Sequence, residues 1–228
     1  GRSNLHVDTV LHMAARAYGH GPLALVRSNI LYLHRVLRYA ERHDVRRFVF
    51  FSSASIYRAH TKAVLTEEDV AIRTGDLYAW TKWLGEGMVV RARVPIRVIV
   101  RLPALLEVRK ATNFITRAYL SIRRGASPTA WNLDSPFNGL VSAAEVLRFI
   151  DGAELTGTVN LVPEATHTLR EHLDAMCSHV GQCLALTEAP GAGRPAILST
   201  RRLHDTYGFT VRDSLEMLRE WMVSRDAG

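Results

Sequence analysis

The sequence predicts an α/β fold, a parallel sheet with helices on both faces, together with a small C-terminal lobe. Three observations carry this reading. Phe48-Val49-Phe50-Phe51 is an unbroken apolar run that follows Arg46-Arg47, the pattern of a parallel strand buried on both faces. Ahead of it, Ile30, Leu33, Leu37 and Ala40 recur at helical spacing. Behind it, a helical stretch from Tyr78 runs to about Arg93, Pro95 marks the break, and residues 96–101 form another apolar run. Strand, helix and strand thus alternate, as a parallel sheet requires.

In chain order, residues 7–13 are expected to form a short buried strand closed by Ala14-Ala15. Residues 18–22 are a glycine- and proline-bearing loop. The helix from about Leu23 ends in the charged Glu41-Arg42-His43-Asp44, and the central strand follows. Residues 58–76 form a polar loop of the length that helps build a site. Beyond residue 101, residues 113–124 read as a helix of the second lobe and residues 138–142 as entry to a strand-to-helix unit. Residues 157–162 resemble a strand of the Gly-x-x-x-Asn type seen in a known family, and residues 169–180 a packed helix. A last helix after Tyr207-Gly208-Phe209 carries Leu215, Leu218, Trp221 and Met222 on one face, with Trp221 in the core. The expected division is residues 1–103 and residues 104–228, a late strand and helix returning to the first part.

The 228 residues, 47% hydrophobic and 22% charged, suffice for one sizeable core with a small second lobe and exclude a disordered class. No apolar run approaches the roughly 20 residues of a membrane span. Gly1-Arg2-Ser3-Asn4 lacks the apolar core of a secretory signal, so a cytoplasmic location without a membrane partner is expected. Cys177 and Cys183 are too widely spaced for a Cys-x-x-Cys pair and too few for zinc. They read as buried or reduced thiols, and no metal is expected. The net charge of +7 and pI near 9.8 admit nucleic acid, an anionic small substrate, or a solvated arginine-rich surface. The arginines are dispersed and no basic run interleaves with aromatics, so no nucleic-acid partner is expected.

Ser52 and Ser53 stand where the central strand ends, the end of an open α/β sheet at which ligands bind. Tyr78 and Lys82, four apart on a helix, share one face. A hydroxyl, a phenol and an ammonium brought together make a proton-transfer site. An ammonium beside a phenol favours the phenolate, so Lys82 is expected to lower the pKa of Tyr78.

Ser52-Ser53-Ala54-Ser55-Ile56-Tyr57, then Tyr78-x-x-x-Lys82 and Glu86, resemble the extended short-chain dehydrogenase/reductase family, in its NAD-dependent epimerase/dehydratase branch. The resemblance implies a Rossmann-like sheet and NAD or NADP as cofactor. It implies Tyr78 as catalytic acid/base, Lys82 also holding the nicotinamide ribose, and Ser53 as the residue that hydrogen-bonds the reacting sugar oxygen. His12-Met13-Ala14-Ala15 resembles the family's strand ending beside the cofactor, and Arg101-Leu102-Pro103 its turn beneath the nicotinamide. Cofactor contacts are therefore expected at Ala14, Ala15, Ser52, Tyr78, Lys82 and Pro103. Substrate contacts are expected at Ser53, Ser55, Asn113 and Arg194; Arg194-Pro195 resembles a phosphate-meeting pair, or is an exposed loop arginine. Asn29 matches the family's helix asparagine, or ties down a neighbouring loop. Glu145 replaces the family's usual aspartate.

Three departures narrow the implied chemistry. Ala54 and Ser55 replace the Asp-Glu of sugar dehydratases, which disfavours elimination of water. Ser55 also stands where enzymes inverting centres beside a ketone place a cysteine. Ala104-Leu105-Leu106-Glu107 lacks the asparagine and Gly-Pro pair of sugar epimerases. A 4-epimerase or ketoreductase acting on a sugar, with a nucleotide-linked substrate, is left as the leading expectation. The glycine-rich strand-turn-helix of a dinucleotide fold does not precede Asp8, a deficit of roughly 60 residues, or two βα units. The pyrophosphate would lose its helix N-terminus and the sheet would show an open edge. The chain is thus expected to be a portion of a longer enzyme, or a truncated one completed by a partner chain or a second copy. Cofactor binding by the chain alone is then doubtful, and a non-catalytic binding module is the alternative.

Overall fold

The computed structural model describes residues 7–17, 19–107, 113–152, 154, 156–182, 185–190 and 195–227. In chain order its elements are β1 (Thr9–His12), α1 (Pro22–Val26), a π-helical turn (Arg27–Leu31), α2 (Tyr32–Arg42), β2 (Arg47–Ser53), a 3-10 turn (Ala54–Tyr57), β3 (Val64–Leu65) and α3 (Leu77–Arg91). Next come β4 (Ile96–Leu102), β5 (Ala104–Leu106), α4 (Phe114–Arg123), β6 (Thr129–Ala130), β7 (Leu140–Ser142), α5 (Ala143–Gly152) and β8 (Gly157–Asn160). The last are α6 (Leu169–Val180), β9 (Thr187–Glu188), β10 (Ile197–Leu198), α7 (Arg201–Tyr207) and α8 (Ser214–Asp226). Among the described residues no helix is long and apolar enough to cross a membrane.

The chain divides into two compact units, residues 1–60, 67–101 and 152–160 forming the first and residues 61–66, 102–151 and 161–228 the second. The first is an α/β unit of Rossmann type. Its sheet runs β1-β2-β4-β8, with β1 parallel to β2 in the register Thr9↔Arg47 to His12↔Phe50 and β4 parallel to β8. β2 is the reason the sequence showed an unbroken apolar run. Phe48, Val49, Phe50 and Phe51 are all buried, because both faces are covered and the strand has a neighbour on either side. The face toward α2 and α3 collects Leu33, Leu37, Phe48, Phe50, Val89 and Ile99 into one core.

Two local expectations are corrected here. The strand expected over residues 7–13 is shorter and less buried: only His12 within β1 is buried, while Leu11 is 42% and Met13 61% exposed. β1 stands at the edge of the sheet, with a strand neighbour on one side alone among the described residues. The helix before β2 starts at Pro22, whose missing N–H suits a first turn. It passes through the π-helical turn before resuming as α2, an irregularity that hydrophobic spacing does not reveal.

The second unit holds three two-stranded parallel pairs, β3 with β10, β5 with β7 and β6 with β9. Among α4, α6 and α8 the buried Tyr119, Ile122, Leu173, Leu218 and Trp221 form the interior, with Trp221 edge-on to Tyr119 at 5.2 Å between ring centroids. Glu145 is buried at the start of α5 and is paired with Arg148 and, at 3.0 Å, with Arg212. Cys177 is a buried free thiol, and Cys183 lies outside the described residues.

α3 lies close on β2 because Gly85 faces it. A Cβ built at Gly85 would stand 2.8 Å from Phe50 Cζ and 3.1 Å from Leu33 Cδ2, and neither buried side chain has room to retreat in a close-packed core. Gly85→Val should therefore destabilise the chain by about 2 kcal/mol through overpacking. Thermal melting should show this as a fall of roughly 4–8 °C for a chain of this size; an unchanged melting temperature would show that α3 has freedom to shift.

Candidate active site

The end of β2 is fastened to one face of α3 by three bonds. The Phe51 carbonyl accepts a hydrogen bond from Lys82 Nζ at 2.6 Å. The Ser52 hydroxyl donates to Glu86 Oε1 at 2.5 Å. Ser53 and Tyr78 share a side-chain hydrogen bond. Residues 78, 82 and 86 are spaced by one turn each, so three consecutive residues of the strand meet three successive turns of the helix. Asp76 starts that helix by accepting a hydrogen bond from the Ala79 N–H at 3.0 Å, the usual service of an N-cap carboxylate.

Ser53, Tyr78 and Lys82 are thus brought together, with Lys82 Nζ 6.0 Å from the Tyr78 ring centroid and 5.1 Å from that of Phe50. The electrostatics differ from the sequence expectation. The Tyr78 phenol is held above its ordinary value, chiefly by burial; Asp76 adds to the rise, and the Ser53 bond and Arg58 oppose it. The ammonium expected to acidify the phenol is itself buried, and burial brings Lys82 down to about 8, with Glu86 pulling the other way. Desolvation outweighs the pair attraction here. Ser53 also accepts a hydrogen bond from the Ser55 N–H at 3.2 Å, opening the 3-10 turn. The Ser55 hydroxyl is buried with no hydrogen-bond partner among the described residues.

The other expected residues divide. Ala14 and Ala15 are exposed just past β1. Ser52 is buried and committed to Glu86. Pro103 lies between β4 and β5 in the second unit. Asn113 serves as the N-cap of α4: its Oδ1 accepts from the Thr116 N–H at 3.0 Å and its Nδ2 donates to the Leu105 carbonyl at 2.7 Å, so its amide is engaged within the unit. Arg194 lies outside the described residues. Asn29 holds the loop after β1, accepting from the Arg16 N–H at 2.8 Å and donating to the Arg16 carbonyl and the Thr81 hydroxyl, each at 2.9 Å. Among the described residues no cluster of three His, Cys, Asp or Glu could hold a metal ion.

Behind the strand end lies a buried charge network that sequence reasoning did not assemble. Arg101 grips Glu86 with two nitrogens, at 3.0 and 2.7 Å. Its third nitrogen donates to the Tyr57 hydroxyl and the Glu67 carbonyl, both at 2.6 Å. Tyr57, pushed up to about 12 chiefly by burial, donates in turn to Asn160 Oδ1 at 2.7 Å. The readable signal was an arginine ending the apolar strand of residues 96–101, since a buried cation requires a carboxylate partner.

Fold and site define a Rossmann-type α/β chain in which strand-end serines face a Tyr-x-x-x-Lys helix. The model of the NAD dependent epimerase/dehydratase family matches residues 2–148, and the chain belongs to that family. An uncharacterized protein, MJ1055, of Methanocaldococcus jannaschii is 31% identical over 86 residues; the match spans 36% of this chain and only 26% of that relative. Among solved structures, Bordetella bronchiseptica WbmG in complex with NAD superposes with a TM-score of 0.81 at 20% identity, over 96% of this chain and 72% of that one. The Thermus thermophilus UDP-glucose 4-epimerase complex with NAD gives 0.76 at 21% identity, over 97% and 78%. At such identities the likeness establishes the fold.

His12 gives the site a pH-dependent stability. The ring lies between Phe48, Phe50 and Tyr32, and burial brings it down to about 4, aided by the Lys82 charge and opposed by a bond to the Ala14 backbone. Its folded pKa is below the unfolded value near 6.5, so between those values the unfolded chain holds more protons. Stability is unaffected by His12 above pH 6.5 and declines as pH falls toward 4, by about 3 kcal/mol in all. Urea unfolding of wild type and His12→Phe at pH 7 and pH 4 should show the wild type losing about that much more. Equal losses in the two proteins would mean that the ring is protonated in the fold.

Proposed function

We propose that this chain carries the catalytic face of an NAD-dependent enzyme that epimerises, or reduces a ketone of, a nucleotide-linked sugar. One observation carries the reading: the Ser53–Tyr78 hydrogen bond lies at the strand end where the Lys82 ammonium is buried and spends one N–H on Phe51. An ammonium has three donors, so two remain for hydroxyls such as those of a ribose. The exposed Ala14 and Ala15 offer no bulk against a group lying past β1. These features fit the nicotinamide half of a dinucleotide, which when bound accepts and returns a hydride. Support comes from family membership and from similar folds solved with NAD, with NAD and UDP, and with UDP-glucuronic acid and NAD.

In this reading Tyr78 takes the proton of a sugar hydroxyl as the carbon loses hydride, and returns a proton when a ketone is reduced. Its raised pKa makes the phenol the resting form, set to donate to a ketone; in the oxidising direction it first gives up its own proton to solvent and then takes the sugar hydroxyl's proton as the phenolate. Ser53 steadies the phenol oxygen and reaches the same sugar oxygen. Ser55, whose buried hydroxyl is unpartnered among the described residues, supplies a further substrate contact. Ser52 acts through Glu86 rather than on the cofactor. Pro103 is assigned to the cofactor and Arg194 to substrate phosphate, within a substrate-holding second unit. Ala54 and Ser55 supply no acid and base for dehydration.

Tyr78→Phe, in the full-length protein with NAD and UDP-glucose or UDP-galactose, should lower turnover by about 10²–10⁴-fold while the affinity for NADH stays within twofold. Retained turnover would refute the assignment. A second reading, a binding module completed by another chain, draws on the one-sided neighbour of β1. It would prevail if the 228-residue chain bound no NAD(H) or NADP(H) by calorimetry and formed a dimer or hetero-complex through that edge.

A further inference from the structure

Three arginines of the first unit have no part in the chemistry above. Arg16, Arg27 and Arg35 line one open groove of about 1020 Å³, together with Ser28, Leu31 and Tyr32. We infer that this groove is a binding site for a nucleoside diphosphate, its diphosphate held by the three guanidinium groups and its base lying on the Tyr32 ring. The inference does not rest on the role given to Tyr78.

The groove is built from two segments of the same unit. Arg27 lies in the π-helical turn and Arg35 on α2, with Leu31 four residues from each, so these side chains share one face of a continuous helical run. Arg16 comes from the loop leaving β1 and is fixed to that run by its backbone. Its N–H donates to Asn29 Oδ1 at 2.8 Å, and its carbonyl accepts from Asn29 Nδ2 at 2.9 Å. Asn29 follows Ser28 and is itself buried. The spacing of the arginines is therefore set by the fold rather than by a free loop.

Their charge is not spent within the protein. Among the described residues no carboxylate lines the groove, and none pairs with Arg16, Arg27 or Arg35. Arg16 Nη1 lies 3.5 Å from His20 Nδ1, a contact that neutralises nothing. Arg38, Arg46 and Arg47 of the same unit, by contrast, each meet a glutamate. Like charges around one concave surface raise the positive potential there, which favours an anion of more than one charge. Guanidinium N–H groups match phosphate oxygens in pairs. The volume decides between a lone phosphate and a larger anion. It stands at the upper end of the roughly 300–1000 Å³ of small-molecule sites, far more than one phosphate fills. Tyr32 and Leu31, half exposed at 48% and 50%, occupy the rest of the lining with a flat ring and an apolar neighbour, the surface on which a base stacks.

Calorimetry on the full-length protein with inorganic pyrophosphate and with ADP tests the site. In Arg27→Gln/Arg35→Gln the affinity for both probes should fall by about tenfold or more. Arg38→Gln/Arg42→Gln removes the same charge from α2 outside the groove and should change either affinity by less than about threefold. Tyr32→Leu should weaken ADP by about fivefold or more and leave pyrophosphate unchanged. The four arginines are exposed, so both double variants should melt with the wild type. Competition with NADH then separates two sources of the diphosphate. Displacement of ADP, with NADH also weakened in the groove variant, assigns the groove to the cofactor's own diphosphate; ADP bound alongside NADH assigns it to a second nucleotide. No binding of either probe at about 1 mM, an affinity unchanged in the groove variant, or an equal loss in the two double variants overturns the proposal. An ADP affinity unchanged in Tyr32→Leu overturns its nucleoside half. Retained turnover in Tyr78→Phe, which refutes the catalytic assignment, leaves each of these outcomes standing.

Discussion

The site depends on how closely α3 can lie against the end of β2. Serine side chains reach one methylene from the backbone, so the bonds from Ser52 and Ser53 exist only if the helix comes within that reach. Gly85 provides the approach, its missing Cβ leaving room for the Phe50 ring. The packing of one glycine on one phenylalanine thus decides whether a hydroxyl, a phenol and a buried ammonium share a single place. A helix displaced by the width of a methyl group would keep most of its apolar contacts and lose the polar ones, since hydrogen bonds weaken steeply with distance and angle.

That closeness carries an electrostatic cost. Lys82, Glu86 and Arg101 are all removed from water, and an isolated buried charge is strongly unfavourable. The solution lies in partners: Arg101 is paired with the Glu86 carboxylate, the Phe51 and Glu67 carbonyls and the Tyr57 hydroxyl accept further N–H bonds from Lys82 and Arg101, and the Glu67 carboxylate is buried in the same network. Lys82, the group with a single bonded acceptor, remains the least compensated, which is why its pKa falls while Arg101 stays firmly charged. The same imbalance explains why Tyr78 is not acidified. Solvent exclusion raises the phenol, and the lysine that would oppose the rise is weakened by the same exclusion.

How much of this was legible in the sequence follows from the range of the forces involved. β2 and the Tyr78 helix were readable because burial on two faces and a one-turn repeat leave local patterns, and Ser53, Tyr78 and Lys82 were singled out on those grounds. Asn113 was misleading for the opposite reason. An asparagine before a helix serves equally as a cap or as a ligand contact, and only the bonds to Thr116 and Leu105 distinguish them. The exposure of β1 depends on what lies beside it, which alternation within a few residues does not encode. The Glu86–Arg101 pair spans two elements, so neither segment alone announces it, although an arginine in an apolar strand posed the question. The lowered pKa of Lys82 is a balance of burial against one charge, a quantity without a local pattern.

The π-helical turn shows how the opposite wall of the site is set. An extra residue in one helical turn shifts the face that later residues present, and such turns are often kept where a side chain must be aimed. Here the turn contains Asn29, buried, with its amide spent on both backbone groups of Arg16 and on the Thr81 hydroxyl. Arg16 follows Ala14 and Ala15 in the loop leaving β1, and Thr81 precedes Lys82. One amide therefore ties the loop beyond β1 to the helix that bears the lysine, just as the strand-end bonds tie β2 to the same helix. α3 is held from both sides, and its 78–82–86 face has one available orientation. An asparagine is suited to this task because its carbonyl and amide supply one acceptor and two donors at once; a side chain with either function alone would leave one part-buried backbone group of Arg16 without this bond.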